Sequence, residues 1–369
     1  MKKIKFISLV TVLFFAAFFT GCQDQLETPE LQDSILPERF GVDIPTSLSS
    51  GTMTNARVSD IDTLQGNVIY EHLGNFVHIG QKAAEITGGI IHGIRRFNIN
   101  KPMTLSYESD DDGRVKNLIV IEQSEYDGEM WEFQLTITDA ENEGNPDGGK
   151  ALQIFWNRSP IKGIAIIKPT NCNVNEEGDW AKAMFRIDYS EGGEHGYARH
   201  MLVAIAELPV LDPLDNPYAM SALKMFVGKK GNHIDMYGNS EHPNATFFAG
   251  NAGFNWAFVA TGLDMENIGV AEVGLPKSNL DEPSRDILLK YYSIKKVFTR
   301  EIYDVWPDIS QESIDTYLYN TEAPGFFDNH GFIQGGTSPG PEYDGLAPRL
   351  EYLSPYNPKD IKNLSIMFK

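Results

Sequence analysis

The residues that could carry out chemistry are densest in one short stretch of the sequence: His233, Asp235, Glu241 and His242. On an extended segment, His233 and Asp235 project to the same side, because alternate side chains share one face of a strand. A turn through residues 238–239 would bring His242 back towards them. Zinc and other divalent cations accept such nitrogen and oxygen ligands. The stretch therefore has two interpretations: a metal site formed by His233, Asp235 and His242, or a loop whose histidines form hydrogen bonds.

The sequence offers little else for phosphate binding or cysteine chemistry. There is no phosphate-binding glycine loop and no Cys/His motif for nucleophilic catalysis. An acidic turn at Glu108 begins like a calcium-binding loop, but its twelfth position is Ile119 where a bidentate glutamate is needed. A second such turn at Asp139 has Lys150 in that position. We therefore predict no catalytic residue and no cofactor, and favour a protein that is not an enzyme.

The composition is typical of a folded, acidic protein. The 369 residues are 41% hydrophobic, and 51 Asp and Glu outnumber 31 Lys and Arg, which gives a formal net charge of −20. Nucleic acids and anionic membrane surfaces bind clustered basic residues, so this charge argues against both as partners. A chain of this length has enough apolar residues for one large core.

Residues 1–21 have the features of a secretory signal peptide. Basic residues at the start precede an apolar run from Phe6 to Phe19, which is shorter than the roughly 20 residues of a membrane-spanning helix. The run ends in Phe19-Thr20-Gly21-Cys22, which resembles the lipobox of bacterial lipoproteins. That resemblance implies cleavage after Gly21 and acyl chains such as palmitate on Cys22.

The same resemblance predicts where the protein is held. Gln23 follows the cysteine, whereas an aspartate there is the inner-membrane retention signal of lipoproteins in enteric bacteria. We therefore expect export and attachment to the bacterial outer membrane through lipidated Cys22, in either leaflet. No later segment has the roughly 18 consecutive apolar residues of a spanning helix, so the expected anchor is lipid alone.

Residues 22–56 are rich in acidic side chains, proline and serine, and we expect a flexible tether. Two tripeptides, Asp33-Ser34-Ile35 and Asp62-Thr63-Leu64, resemble the acceptor of a bacterial O-glycosylation system. That resemblance implies glycosylation at Ser34 and Thr63, whereas a chance match leaves both unmodified. We expect residues 57–369 to form one large domain.

The domain is predicted to begin with a helix over residues 60–96, where apolar residues recur at three- and four-residue spacing. This segment contains five glycines: Gly74, Gly80, Gly88, Gly89 and Gly93. Each glycine weakens a helix by roughly 0.8–1 kcal/mol relative to alanine. We therefore expect close packing against a sheet or another helix to offset the loss.

A run of seven strand-like segments follows over residues 102–208, joined by short turns rich in Gly, Asp and Asn. The clearest segment runs from Trp131 to Thr138, with strict alternation of apolar and polar side chains. Connections this short imply antiparallel neighbours rather than βαβ units. We therefore predict an α+β fold with an antiparallel meander sheet of seven or more strands. Such a sheet can curl into a half-barrel, the shape of lipid-binding envelope proteins.

Residues 209–369 are less regular, and we expect mixed helix and strand followed by a Pro/Gly-rich wrap over the body. One helix is predicted over Ala219–Lys229. Another is predicted from Ser284 to Trp306, with Tyr291 on its apolar face. This later helix and the Gly-rich first helix should pack on the same face of the sheet.

These features favour a lipid-anchored cell-envelope protein that is a non-enzymatic binding or structural component. Besides the membrane, its expected partners are an envelope protein, a glycan or a hydrophobic ligand. Two alternatives stay open. One is a carrier that holds a hydrophobic ligand in a half-barrel cavity, and the other is a metal-dependent hydrolase built on the 233–242 stretch.

Overall fold

One antiparallel sheet of thirteen strands organises the fold. The computed structural model describes residues 34–49, 68–95, 97–176, 179–210, 219–246 and 252–369. Numbered along the chain, the strands are β1 Met103–Glu108, β2 Val115–Tyr126, β3 Glu129–Asp139, β4 Lys150–Arg158, β5 Ile161–Ile167, β6 Met184–Ser190, β7 Arg199–Ala206, β8 Ala222–Lys230, β9 His233–Thr246, β10 Ala252–Leu263, β11 Ile268–Gly274, β12 Gly325–Asp328 and β13 Gly331–Gly335.

Each strand pairs with the next one along the chain, so the described part of the sheet is an open meander. Its tight turns follow from local sequence. Asp127 and Gly128 connect β2 to β3 with φ angles of 54° and 76°, the left-handed backbone that a two-residue hairpin turn requires. The predicted antiparallel meander is confirmed. The described chain is mostly β, so the α+β prediction holds only approximately.

The prediction of a helix over Ala219–Lys229 is wrong, because this segment contains strand β8. It pairs with β7 on one side and β9 on the other. Leu223 and Met225 are buried on one face, and Phe226 is buried on the opposite face. Because both faces are covered, the apolar residues form a nearly continuous run. Periodicity does not distinguish such a strand from a buried helix.

Six α-helices and one π-helical turn accompany the sheet in the described residues. The helices are α1 Thr46–Ser49, α2 Val68–Arg95, α3 Pro169–Cys172, α4 Ile294–Val305, α5 Gln311–Tyr317 and α6 Pro358–Lys362. None of the helices in these residues is both long and apolar enough to cross a bilayer.

The helix predicted from Ser284 to Trp306 is interrupted. A π-helical turn, Asp286–Tyr291, precedes α4 and is separated from it by Tyr292 and Ser293. Ser293 is extended, with φ −55° and ψ 151°. The amide of Leu275 donates to the carbonyl oxygen of Tyr292 at 2.8 Å, which ties this interruption to the chain just beyond β11. Backbone hydrogen bonding to the chain that follows β11 therefore replaces the helical hydrogen bonding here.

Helix α2 lies across the strands on one face of the sheet, which we call the inner face. Near its start, Tyr70 stacks on Phe332 of β13, with ring centroids 4.9 Å apart. Two turns later, Phe76 contacts Trp256 of β10 with centroids 5.0 Å apart. Gly80 then lies over Met225 of β8. Apolar side chains of α4 belong to the same core cluster, so both helices cover the inner face.

The close packing expected of the glycines in α2 is present at Gly80. A Cβ atom built there would lie 2.5 Å from Cε of Met225 and 3.0 Å from Cδ2 of Leu223. At Gly88, Gly89 and Gly93, by contrast, the nearest such atoms are more than 4 Å away. Helix α2 is continuous through these positions because its apolar face is buried against the sheet.

Substitution of Gly89 by alanine is therefore expected to stabilise the protein by about 0.5–1 kcal/mol, because Gly89 is exposed and the new methyl group meets no atom. Urea unfolding followed by circular dichroism measures the change. Gly80→Ala is the matched control, where contact with Met225 should offset the same gain. Equal stabilisation by both substitutions would contradict the packing described above.

The predicted tether is wrong for residues 34–49, which pack into the core. Trp156 donates from Nε1 to the carbonyl oxygen of Ile35 at 2.8 Å, and the Ile35 amide donates to the carbonyl of Ile99 at 3.0 Å. The buried apolar residues of this segment are Ile35, Leu36, Phe40, Val42, Ile44 and Leu48. Polar and proline residues alternate with them, which gave the segment its tether-like composition. The other residues of 22–56 lie outside the described ranges.

The C-terminal residues 341–369, which we call the C-terminal strap, cover the opposite, outer face of the sheet. Leu346, Leu350 and Leu353 pack over β10, β11 and β12. At the far end, Ile366 and Phe368 pack over β3, β4 and β5. The strap therefore passes from the last strands back to the first ones, and the sheet between has apolar layers on both faces.

Candidate functional site

The structure does not bring the predicted metal ligands together. All three lie on β9, where His233 and Asp235 share the outer face and His242 lies on the inner face. The turn expected at residues 238–239 is absent, because the strand is continuous there. The described residues contain no group of three or more His, Cys, Asp or Glu side chains that could hold a metal ion. The metal site is therefore not formed by these residues.

Asp235 has a structural role in the outer layer. Its side chain is buried, and its two carboxylate oxygens accept four hydrogen bonds. Arg349 of the strap donates from Nε at 3.2 Å and from Nη2 at 2.5 Å. Thr261 donates at 2.6 Å and Tyr197 at 3.0 Å. The carboxylate is therefore fully occupied in fastening the strap to the sheet.

His242 is buried among aromatic rings under helix α2. Its ring centroid lies 4.4 Å from that of Phe76 and 5.2 Å from that of Trp256. Its Nε2 atom is 2.7 Å from Oγ of Ser240. His242 is therefore hydrogen-bonded as in the second interpretation, but it lies in a strand and not in the expected loop.

The sites expected of covalent modification lie largely outside the described ranges, which include neither Cys22 nor Thr63. Ser34 is described and half-buried, and its hydroxyl accepts a hydrogen bond from the amide of Leu36 at 3.2 Å. The free thiol of Cys172 contacts the carbonyl oxygen of Ala151 at 3.5 Å. Burial raises the pKa of this thiol to about 12, so it is not an activated nucleophile.

A surface pocket of about 520 Å³ lies at one end of the sheet, between β10, the chain after β11, and helix α4. We call it the Tyr291 pocket. It is lined by Gly253, Phe254, Leu275, Lys277, Ser278, Asn279, Tyr291, Tyr292, Val297, Arg300, Glu301, Asp304 and Lys362. Its volume is within the range of about 300–1,000 Å³ that is usual for small-molecule sites.

Two adjacent tyrosines and an arginine form one wall of the Tyr291 pocket. The rings of Tyr291 and Tyr292 meet edge to face, with centroids 5.0 Å apart. The guanidinium carbon of Arg300 lies 4.5 Å from the Tyr291 ring centroid and 5.5 Å from that of Tyr292. Arg300 also donates from Nη1 to the carbonyl oxygen of Tyr291 at 3.1 Å. These contacts hold the arginine and both rings in one arrangement.

The structure corrects the prediction that Tyr291 belongs to an apolar helix face. Its side chain is 54% exposed. The π-helical turn and the interruption at Tyr292 and Ser293 change the phase of the side chains before α4 begins. The sequence does contain one signal for this exposure. Tyr291 and Tyr292 are adjacent, and adjacent positions of a helix point in different directions, so both rings would not lie on one buried face.

One polar group that lines the pocket, Glu301, has a buried oxygen atom, Oε2, without a hydrogen-bond partner. Ser278 is only 6% exposed, and its hydroxyl bonds to the buried carboxylate of Glu241. Burial raises the pKa of Glu241, and the nearby Ser278 hydroxyl partly opposes this effect. A buried acceptor without a donor is costly, so a ligand donor at Glu301 would be stabilising.

The charges of the Tyr291 pocket differ from those of the whole chain. Lys277, Arg300 and Lys362 bring positive charge to it, and Glu301 and Asp304 bring negative charge. Donors and acceptors are therefore both present, in a protein whose overall formal charge is −20. This mixture suits a ligand that both donates and accepts hydrogen bonds.

The backbone that positions the pocket is held by close contacts at the end of β11. A Cβ atom on Gly274 would lie 1.9 Å from the carbonyl oxygen of Leu288, so only glycine allows the π-helical turn to lie against the strand. Just beyond, the amide of Asn255 donates to the carbonyl of Pro276 at 2.9 Å. These contacts fix the Tyr291 wall relative to the chain that carries Lys277 and Ser278.

The fold and this site define a mostly β protein with an open meander sheet and a small polar surface pocket. In comparisons with protein-family models, curated proteins and solved structures, the chain matches none.

Proposed function

We propose that this chain is a lipid-anchored, non-enzymatic binding protein of the bacterial cell envelope, with the Tyr291 pocket as its ligand site. The single observation that carries the binding role is the partnerless buried oxygen Oε2 of Glu301, in a pocket of ligand size. The anchor rests on the resemblance of Phe19-Thr20-Gly21-Cys22 to a lipobox. Two or three acyl chains hold a protein on a membrane firmly without a spanning helix.

The contrast with other buried polar groups supports this choice of site. The carboxylate of Asp235 accepts four hydrogen bonds from neighbouring side chains. The buried ammonium group of Lys116 makes three hydrogen bonds, to Asp112, Asp139 and the carbonyl of Asn171. Both groups have all the partners that a structural role requires. The Tyr291 pocket, by contrast, contains the buried acceptor Oε2 of Glu301, which has no partner.

The carrier hypothesis needs space between α2 and the sheet. Phe76 lies on Trp256, and Met225 fills the space beneath Gly80, so these side chains occupy the region where a hydrophobic ligand would lie. We also propose that the sheet is curved like a half-barrel, because the single helix α2 contacts strands from β6 to β13 along one face. Because side chains fill the space between α2 and the sheet, we favour ligand binding at the surface over a carrier role in the interior.

The anchor predicts the behaviour of a Cys22→Ala variant in a Gram-negative bacterial host. The wild-type protein should sediment with membranes and incorporate labelled palmitate. The variant should lose the label and leave the membrane fraction, because alanine cannot form the thioether. Fractionation with immunodetection measures both. A variant that still sediments with membranes would contradict the lipid anchor.

A soluble form that begins after Cys22 tests the ligand site separately. Compounds that bind the pocket should raise the melting temperature of this form, and Tyr291→Ala should remove the shift. Tyr352→Ala is the matched control, since Tyr352 is 89% exposed and does not line the pocket. A shift that Tyr291→Ala leaves intact would place the ligand elsewhere.

A further inference from the structure

We infer that the Tyr291 pocket binds a neutral saccharide. This inference rests on the proposed function and names the class of its ligand. Three features of the pocket support it: the aromatic wall, the partnerless acceptor of Glu301 and the mixed charges.

The aromatic wall offers an apolar surface next to polar groups. Tyr291 is 54% exposed, and the contact with Arg300 and Tyr292 fixes its ring. A pyranose ring has an apolar face of C–H groups that packs against such a ring, while its hydroxyl groups point sideways. Because Tyr291 is held before the ligand arrives, little side-chain entropy is lost on binding.

The polar groups need a partner that both donates and accepts. Glu301 has a buried acceptor oxygen without a donor. On the same helix and in the same pocket, Arg300 presents N–H donors, of which Nη1 already bonds to the Tyr291 carbonyl. A sugar hydroxyl donates one hydrogen bond and accepts others. Neighbouring hydroxyls of one ring can therefore serve Glu301 and Arg300 at once.

The charges disfavour other ligand classes. A phosphate or a simple carboxylate would be attracted to Arg300 but repelled by Glu301 and Asp304. A simple cation would meet Arg300, Lys277 and Lys362. An alkyl chain would leave the buried oxygen of Glu301 without a donor, at the cost of an unsatisfied polar group. An uncharged ligand rich in hydroxyl groups avoids all three penalties.

The experiment uses the soluble form that begins after Cys22 and a panel of defined probes. The saccharide probes are glucose, galactose, mannose, N-acetylglucosamine and their β-linked disaccharides. Inorganic phosphate, glycylglycine and decanoate represent an anion, a zwitterion and an apolar chain. Saturation-transfer NMR reports which probe binds, and isothermal titration gives its Kd. We expect transfer to the ring C–H protons of at least one saccharide.

Variants of the pocket then test the assigned contacts. Tyr291→Ala should weaken saccharide binding about tenfold, through loss of the stacking surface. Glu301→Gln keeps the size of the side chain but removes its charge, and should weaken binding about tenfold or more. Tyr352→Ala should leave the Kd unchanged. Circular dichroism and melting temperature confirm that each variant is folded.

The outcomes separate the ligand class from the binding role. Binding of phosphate, glycylglycine or decanoate that Tyr291→Ala abolishes, with no saccharide bound, would overturn the saccharide inference and leave the pocket as a binding site. Saccharide binding that survives both Tyr291→Ala and Glu301→Gln would overturn the assignment of the site. If no probe in the panel binds, both the inference and the proposed binding role fail.

Discussion

Replacement of Lys116 by methionine is expected to destabilise the protein by about 3–5 kcal/mol, the range for removing one member of a buried ion pair. Lys116 is buried on β2, and its Nζ atom lies 2.9 Å from Asp112 and 3.2 Å from Asp139. Methionine fills similar space but removes the counter-charge of Asp112 and one of the two cations at Asp139, which keeps Arg114 at 3.1 Å. Chemical denaturation at pH 7 measures the loss.

The effect of Lys116→Met should depend on pH in a defined direction. Burial works to raise the pKa of Asp112, but bonds from Lys116 and from the amides of Val174 and Arg114 outweigh it and leave this pKa below its usual value. In the wild type, this contribution to stability is present above the unfolded pKa of about 3.9 and is lost as the pH falls through the lower folded pKa. In Lys116→Met, Asp112 and Asp139 no longer have this cation beside them. Protonation of these carboxylates at low pH removes buried negative charge, so it should relieve part of the loss of stability.

The destabilisation should therefore be largest near pH 7 and should shrink as the pH approaches 4. Lys290→Met is the matched control, because Lys290 forms an exposed pair with Asp286 and should have no resolvable effect. A penalty that is independent of pH would show that lost packing, rather than unpaired charge, dominates.

Replacement of Arg349 by alanine is expected to destabilise the protein by about 2–4 kcal/mol, somewhat less than for a fully buried pair because Arg349 keeps partial exposure. Arg349 donates two hydrogen bonds to the buried carboxylate of Asp235 and fixes the C-terminal strap on β9. Without it, Asp235 retains only the hydroxyl groups of Thr261 and Tyr197. Thermal unfolding and hydrogen exchange across the strap measure the loss.

Removal of the buried charge should restore part of this stability. A double variant, Asp235→Asn with Arg349→Ala, leaves no unpaired carboxylate, so it should be more stable than Arg349→Ala alone. Lys359→Ala is the control within the strap, since its pair with Asp281 is exposed. If the double variant were no more stable than the single one, the contact of Arg349 with Asp235 would not be what fixes the strap.

The two ion clusters and the Tyr291 pocket show how buried polar groups differ by role. Lys116 and Asp235 have partners from two or more separate segments and act as fasteners. Glu301 has a buried oxygen without a partner and lies in a pocket. The same chemical types therefore serve stability in one place and, as we propose, ligand binding in another.

The first half of the sheet could be predicted because its signals are local. In strand β3, Phe133, Leu135 and Ile137 lie in the core on the inner face and alternate with polar side chains. Asp127 and Gly128 supply a turn that only a few residue types allow. Strand β8 could not be predicted in this way, because the strap and helix α2 cover both of its faces and remove the alternation.

The candidate site could not be predicted because its residues meet only through the fold. Ser278 follows β11, Arg300 and Glu301 lie on α4, and Lys362 ends α6. The 233–242 stretch is dense in metal-binding residue types, yet a continuous strand places Asp235 and His242 on opposite faces. For the pocket residues and for the 233–242 stretch alike, proximity in the sequence does not predict proximity in the structure.

The sequence by itself determined the antiparallel meander, because short turns and the two-residue period of strands act over a few neighbouring residues. It also carries the prediction of a lipid anchor at Cys22, which rests on local motif chemistry. The tertiary structure alone decided that residues 34–49 belong to the core, that α2 crosses the strands, and that Tyr291 faces a pocket. These features depend on contacts between residues tens to hundreds of positions apart, where burial and hydrogen bonding with distant segments outweigh local preference.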